Sequence, residues 1–170
     1  MTETSAAMNY KLTIDSNLLH ETTKIPSIDV LKRWKSEGKI ELVEADAAKA
    51  KSEPAYGWPG SPPRPINTTR DPRGGNRGHV KKESAGKANF KALSSVLFPG
   101  KDSQRLNMGE INNVAHLVKH SISKNEFFVT HNLKDYITGG KREVLRGSFG
   151  IVTVTPDEAV DMLKKLEGWK

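Results

Sequence analysis

Apolar residues follow strand and helix periods over the first fifty positions. Residues Tyr10 to Ile14 alternate between apolar and polar types, which predicts a strand that ends at Asp15. Further residues recur at helical spacing and predict a helix that stops near Gly38: Ile28, Leu31 and Trp34. Ile40 to Val43 predicts a second strand, and the stretch from Glu44 to Glu53 has strong intrinsic helix propensity.

The second half of the chain alternates predicted helices and strands. One helical face precedes a Pro-Gly stop and consists of Phe90, Leu93 and Leu97. The pattern then predicts a helix over 108–120, a strand over 127–130, a helix over 141–146 and a strand over 150–154. Thr155 and Glu158 form a capping box for a last helix. That helix is expected to bury Ala159, Met162, Leu163 and Leu166.

This order of elements predicts an α/β fold with a mainly parallel sheet covered on both faces. Residues 1–9 are expected to be a flexible N-terminus, and 10–170 a single domain with a basic, Pro/Gly-rich excursion at about 54–83. Ligands of such sheets bind beyond the carboxyl ends of the strands. Two predicted strands end in polar residues there, at Asp15-Ser16-Asn17 and at Thr130-His131-Asn132.

The amino-acid composition excludes several classes of protein and favours certain partners. The chain has no cysteine, which excludes a disulfide scaffold, thiolate metal sites and a cysteine nucleophile. No apolar leader or spanning segment is visible, so we expect a cytoplasmic protein without a membrane partner. The 27 basic residues against 20 acidic ones give a net charge of +7, which favours RNA or another anionic partner. The residues expected to contact nucleic acid lie in or beside the excursion: Arg64, Arg70, Arg73, Arg77, Lys81 and Lys82.

Four stretches, taken in order, resemble the PIN-like domain family. They are TIDSNLL (13–19), GEINNVAHLVKH (109–120), FFVTHNLKDYI (127–137) and the closing GGKREVLRGSFGIVTVTPDEAVDML (139–163). The similarity covers about residues 10–52 and 84–167. It implies a three-layer α/β/α sandwich in which acidic side chains hold Mg²⁺ or Mn²⁺ and hydrolyse RNA. Hard divalent cations prefer carboxylate oxygens, and they activate water and neutralise phosphate charge.

The resemblance also implies which residues form the site. The implied catalytic set is Asp15, Asn113, Asn132 and Asp135, and the implied metal ligands are Asp15, Glu110 and Asp135. The supporting residues are Ser16, Thr130 and His116. The remaining family acid has three candidates, Glu44, Asp46 and Glu53, of which Glu53 is preferred because it lies furthest along the predicted helix.

Two positions depart from the family pattern. Asn113 stands where the D-x-x-H-L motif has its acid, and Asn132 stands at the acid of T-x-D. Amide oxygens can ligate a metal but do not offset its charge, so weak metal binding and reduced activity are expected.

Simpler structural roles remain open for the same residues. Asp15-Ser16-Asn17 could be a helix-capping turn, Asn113 a buried polar residue, and Asp135 an N-cap or an arginine partner. The three tryptophans, Trp34, Trp58 and Trp169, are expected to be packing residues.

Two functions from different classes follow. The first is a metal-dependent endoribonuclease-like hydrolase, with a toxin restrained by an antitoxin partner as a variant. The second is a PIN-like module without catalysis that binds nucleic acid or a partner protein. Homodimer formation is left open.

Overall fold

The computed structural model describes residues 10–20, 24–45 and 90–169. Its centre is a four-stranded sheet of β1 (Tyr10–Asp15), β2 (Ile40–Ala45), β3 (Phe127–Val129) and β4 (Thr153–Val154). The strands are all parallel and lie in the order β2-β1-β3-β4. Helices flank this sheet. The predicted α/β class is therefore confirmed, and the arrangement is consistent with a three-layer α/β/α sandwich.

The helices alternate with the strands along the described chain. They are α1 (Ser16–His20), α2 (Pro26–Ser36), α3 (residues 90–97), α4 (Met108–Ser123), α5 (Leu133–Tyr136), α6 (Lys141–Phe149) and α7 (Pro156–Glu167). A single 3₁₀ turn covers Ser103–Arg105. Within the described ranges, no helix has the length and apolar character needed to cross a bilayer.

The chain divides into two compact units. The first contains residues 10–45 and 119–169 among those described, and the second contains residues 90–118. The whole sheet and the last turn of α4 belong to the first unit. In the second unit, α3 buries the predicted face of Phe90, Leu93 and Leu97. The single-domain interpretation of 10–170 stays a prediction, and the segments 1–9 and 54–83 lie outside the described residues.

Each face of the sheet in the first unit has its own layer of side chains. One face packs against α2 and α7 in a core that includes Leu12, Ile14, Val129, Leu31, Trp34, Ala159 and Leu163. Trp169 lies with its ring 5.0 Å from that of Trp34, so both tryptophans pack as predicted. On the other face, the Phe128 ring lies 5.6 Å from His120 of α4 and 5.1 Å from Tyr136 of α5.

The last strand is shorter than its apolar run predicts, two residues in place of five. Gly150 adopts a left-handed conformation (φ 67°) at the C-cap of α6, and its N–H bonds to the Arg146 carbonyl. The Ile151 N–H bonds to the carbonyl of Leu145. These residues satisfy the last carbonyls of a helix, so the pairing with β3 begins only after them.

Two further predictions about burial and helix extent are wrong. Leu166 is 59% exposed, and Val160 is buried in the α7 face instead. Glu44 and Ala45 extend β2, where they pair with Ile14 and Asp15, and do not start a helix. Edge pairing with β1 overrides helix propensity at these two positions. The rest of that predicted helix, residues 46–53, lies outside the described residues.

Candidate functional site

The direction in which successive strands are added to the sheet reverses between β1 and β3. From β1 the chain crosses to β2 on one side, and it later returns to β3 on the other side of β1. This topological switch point is where open α/β sheets bind ligands. A cleft of about 410 Å³ lies there, lined by Asp15, Asn17, Leu18, His131 and Asn132. The sequence prediction that two polar strand ends meet at this edge is therefore confirmed.

Asp15 is held in a fixed orientation at the end of β1. Its side chain is 1% exposed, although it lines the cleft. Thr130 Oγ1 donates to Oδ2 of Asp15 over 3.0 Å, and the backbone N–H of Asn17 donates to Oδ1 over 3.3 Å. The bond from the Asn17 N–H forms the helix-capping turn that the sequence offered as a simpler role for Asp15. Asp15 therefore both caps α1 and lines the cleft. Ser16, a predicted supporting residue, is the first residue of α1.

The exit from β3 is ordered by a second set of hydrogen bonds. The Asn132 N–H donates to Thr130 Oγ1 over 3.1 Å, so the threonine hydroxyl links this turn to Asp15. Asn132 is also the N-cap of α5, because its Oδ1 accepts from the Asp135 N–H over 3.2 Å. Its Nδ2 donates to Asp135 Oδ2 over 2.9 Å. Asn132, not Asp135, therefore caps the helix.

Tyr136 is a member of this cluster that sequence reasoning missed. Its side chain is fully buried. Burial raises the pKa of the phenol well above its ordinary value, and the charges of Asp15 and then Asp135 raise it further. The hydroxyl thus lies in the electrostatic field of both carboxylates and stays protonated. The only available signal was the aromatic residue directly after Asp135.

Three other predicted site residues belong to the second unit and lie on α4. The Glu110 carboxylate pairs with Lys101 and accepts from the Asn107 N–H over 3.0 Å. The hydrogen bond from Lys101, and then that from Asn107, lowers the pKa of Glu110. Asn113 is half-buried, and His116 is 4% exposed. Their roles as site residues stay predictions.

The remaining candidates fall at an edge strand or outside the described residues. Glu44 is exposed at the end of β2. The residues Asp46, Glu53, Trp58, Arg64, Arg70, Arg73, Arg77, Lys81 and Lys82 are not among those described.

No family model, curated protein or solved structure matches this chain. The similarity to PIN-like domains therefore depends on the four stretches quoted above and stays a prediction. What the structure itself supplies is a buried carboxylate at the switch point, and the hydrogen bonds that orient it.

The donor set of the cleft limits what kind of metal site it can form. In the described ranges, no group of three or more His, Cys, Asp or Glu side chains is arranged to hold a metal ion. The Asn132 amide oxygen is already used by the Asp135 N–H. Asp15 has acceptor capacity beyond its two hydrogen bonds, because a carboxylate has about four lone-pair sites. Mg²⁺ is commonly held by one or two carboxylates plus substrate phosphates, and Asp15 is the carboxylate that lines this cleft.

Proposed function

We propose that this chain is a metal-dependent endoribonuclease-like protein that hydrolyses RNA phosphodiesters at the cleft beside Asp15, with reduced activity. The observation that carries this proposal is the Asp15 carboxylate, almost completely buried yet lining a cleft at the switch point of a parallel sheet. A carboxylate is costly to bury unless its environment supports the charge. Thr130 and the Asn17 amide provide that support and leave the carboxylate directed at the cleft.

Each neighbouring residue has a separate task in this proposal. Asp15 and Asp135 would hold Mg²⁺ or Mn²⁺ together with a substrate phosphate. When bound, the ion would neutralise phosphate charge and supply an activated water. Thr130 fixes the orientation of Asp15, and Asn132 fixes that of Asp135. His131 is exposed at the cleft and is placed to donate to a phosphate oxygen.

A cleavage assay on labelled single-stranded RNA with Mn²⁺ or Mg²⁺ tests the proposal. We expect wild-type protein to cleave and Asp15→Asn to lose at least tenfold in rate. Asp29→Asn on the exposed side of α2 is the matched control and should cleave like wild type. Equal cleavage by wild type and Asp15→Asn would refute the assignment of the activity to the cleft beside Asp15. Absence of cleavage, with no change in melting temperature on adding either ion, would refute the enzyme proposal.

One observation favours the second candidate, a non-catalytic module that binds RNA or a partner protein. Both ends of the Asn132 amide are used in holding the first turn of α5, which is a structural task at a position where the resembled family has an acid. A binding module predicts RNA affinity that falls steeply with salt and survives Asp15→Asn. A toxin restrained by an antitoxin partner is a variant of the nuclease proposal and does not belong to this second candidate.

A further inference from the structure

The lining of the cleft at the switch point differs from that of a phosphate site. Among the described residues that line it, none is a lysine or an arginine, and the residues beside Asp15 are Asn17, Leu18, His131 and Asn132. The volume of about 410 Å³ falls within the roughly 300–1,000 Å³ of sites that hold small molecules. Two amides, an imidazole and an aliphatic side chain match a nucleobase, which is flat, uncharged and edged with hydrogen-bond donors and acceptors.

The two asparagines of the lining differ in how their side-chain amides are engaged. Asn132 bonds to Asp135 through both its Oδ1 and its Nδ2, so its amide is already held. Asn17 is exposed, and its backbone N–H, not its side chain, makes the bond to Asp15. Within the described ranges the Asn17 side-chain amide makes no hydrogen bond. The first turn of α1 therefore provides an accessible carboxamide next to the buried carboxylate.

Two other residues of the lining provide surface for the face of a base. His131 is exposed at the cleft, and proteins that recognise single-stranded RNA stack unpaired bases on aromatic rings, histidine included. Leu18 is nearly buried and contributes an apolar part of the wall. The cleft thus combines an amide for the edge of a base with a ring and an aliphatic side chain for its faces.

The donors and acceptors of the Asn17 amide favour one base. An asparagine pairs with adenine through two hydrogen bonds, because its oxygen accepts from N6 and its nitrogen donates to N7. Guanine presents two acceptors at the same edge, O6 and N7, so an amide makes only one of these bonds. Cytosine has an adjacent donor and acceptor, but its single ring leaves less surface to stack on His131. Adenine is therefore the base that uses both the amide and the ring.

We propose that Asn17 is the specificity-determining residue of this cleft and selects RNA that carries an adenine beside the phosphodiester to be cleaved. The link to cleavage rests on the function proposed above. Asn17 pairs with N6 and N7 of the base, and His131 stacks on its face. Asp15 stays with the phosphate, so the two neighbouring side chains of α1 and β1 divide recognition from chemistry.

Nucleosides test base recognition separately from cleavage, because they carry no phosphate and need no metal ion. Binding to the isotope-labelled full chain is followed by chemical shifts. Adenosine should shift the side-chain amide signals of Asn17 and the ring signals of His131. 7-Deazaadenosine lacks the N7 acceptor and N6,N6-dimethyladenosine lacks the N6 donors, so each should bind about tenfold more weakly than adenosine. Guanosine and cytidine should also bind more weakly.

Variants connect the binding to Asn17. Asn17→Ala keeps the backbone N–H that bonds to Asp15, and it should weaken adenosine binding about tenfold. In the RNA assay it should lower cleavage beside adenine toward the rate at other sites. Gln104→Ala is the matched control, because Gln104 is also an exposed carboxamide whose N–H bonds to an aspartate two residues earlier, Asp102. It should bind adenosine like wild type.

The outcomes separate this inference from the proposed function. Equal binding of adenosine and its two analogues, unchanged affinity in Asn17→Ala, or tighter binding of another nucleoside would overturn the inference. RNA cleavage without a preference for adenine would also overturn it and leave the proposed function standing. Adenosine binding that depends on Asn17, with no cleavage of any RNA, would support base recognition and refute the hydrolase.

Discussion

Acid should weaken the fold of this protein through one buried histidine. His120, on the last turns of α4, is 2% exposed, and its Nδ1 lies 2.7 Å from Thr13 Oγ1. Asn125 donates to the same hydroxyl over 2.9 Å, and the Phe128 ring covers the imidazole. These neighbours are all neutral. Burial without a counter-charge lowers the pKa of His120 from 6.5 to about 4.

The direction and size of the effect follow from proton linkage. Because the folded-state pKa lies below the unfolded one, the unfolded chain takes up the proton first as the pH falls. Stability from this residue is therefore complete above pH 6.5 and declines as the pH falls toward 4. With these two pKa values, the free energy of unfolding drops by about 2 kcal/mol between pH 7 and pH 5.

Urea denaturation at pH 7, 6 and 5, followed by circular dichroism, measures this drop. His120→Gln removes the titrating group, so it should unfold more easily at pH 7 but lose much less stability between pH 7 and pH 5. His131→Gln removes an exposed histidine and should keep the wild-type slope. A wild-type free energy that is flat over this range, or a slope unchanged in His120→Gln, would refute the account.

Four further predictions concern threonines with different surroundings. Thr153→Val removes a buried hydroxyl that lacks a partner among the described residues, so the free energy of unfolding should rise by about 1 kcal/mol in thermal unfolding. Thr13→Val leaves His120 and Asn125 without the hydroxyl to which both are hydrogen-bonded, so the free energy of unfolding should fall by about 2 kcal/mol. Thr155→Ala removes the N-cap of α7 and should cost about 1 kcal/mol, and the serine variant should stay within a few tenths of wild type. Thr130→Val leaves the buried Asp15 carboxylate without its hydroxyl donor and should cost about 2 kcal/mol, with Thr130→Ser largely restoring stability.

The sequence predicted the elements whose side chains follow a clear period. β1 and α7 begin and end close to where alternation and the capping box place them. Parallel geometry also made the meeting of Asp15 with Thr130 predictable, because the carboxyl ends of neighbouring strands lie at one edge.

The remainder depends on contacts that no local pattern contains. The four residues of α5 are too few to show a helical period, and the burial of Tyr136 in the field of two carboxylates depends on how that turn packs on β3. The apolar run from Ile151 to Val154 cannot reveal that its first residues terminate α6. The position of β4 at the edge of the sheet is likewise a property of the tertiary fold.

The hydroxyl of Thr130 connects the ends of β1 and β3 at the cleft. A hydroxyl has a single proton, and Thr130 donates it to Asp15 while its oxygen accepts from the backbone N–H of Asn132. The threonine therefore links the carboxylate at the end of β1 to the backbone of the turn that follows β3. Asn132 starts α5 and bonds to Asp135, so the link continues from Asp15 through Thr130 and Asn132 to Asp135. A substitution at this one threonine would therefore disturb the supports of both carboxylates together.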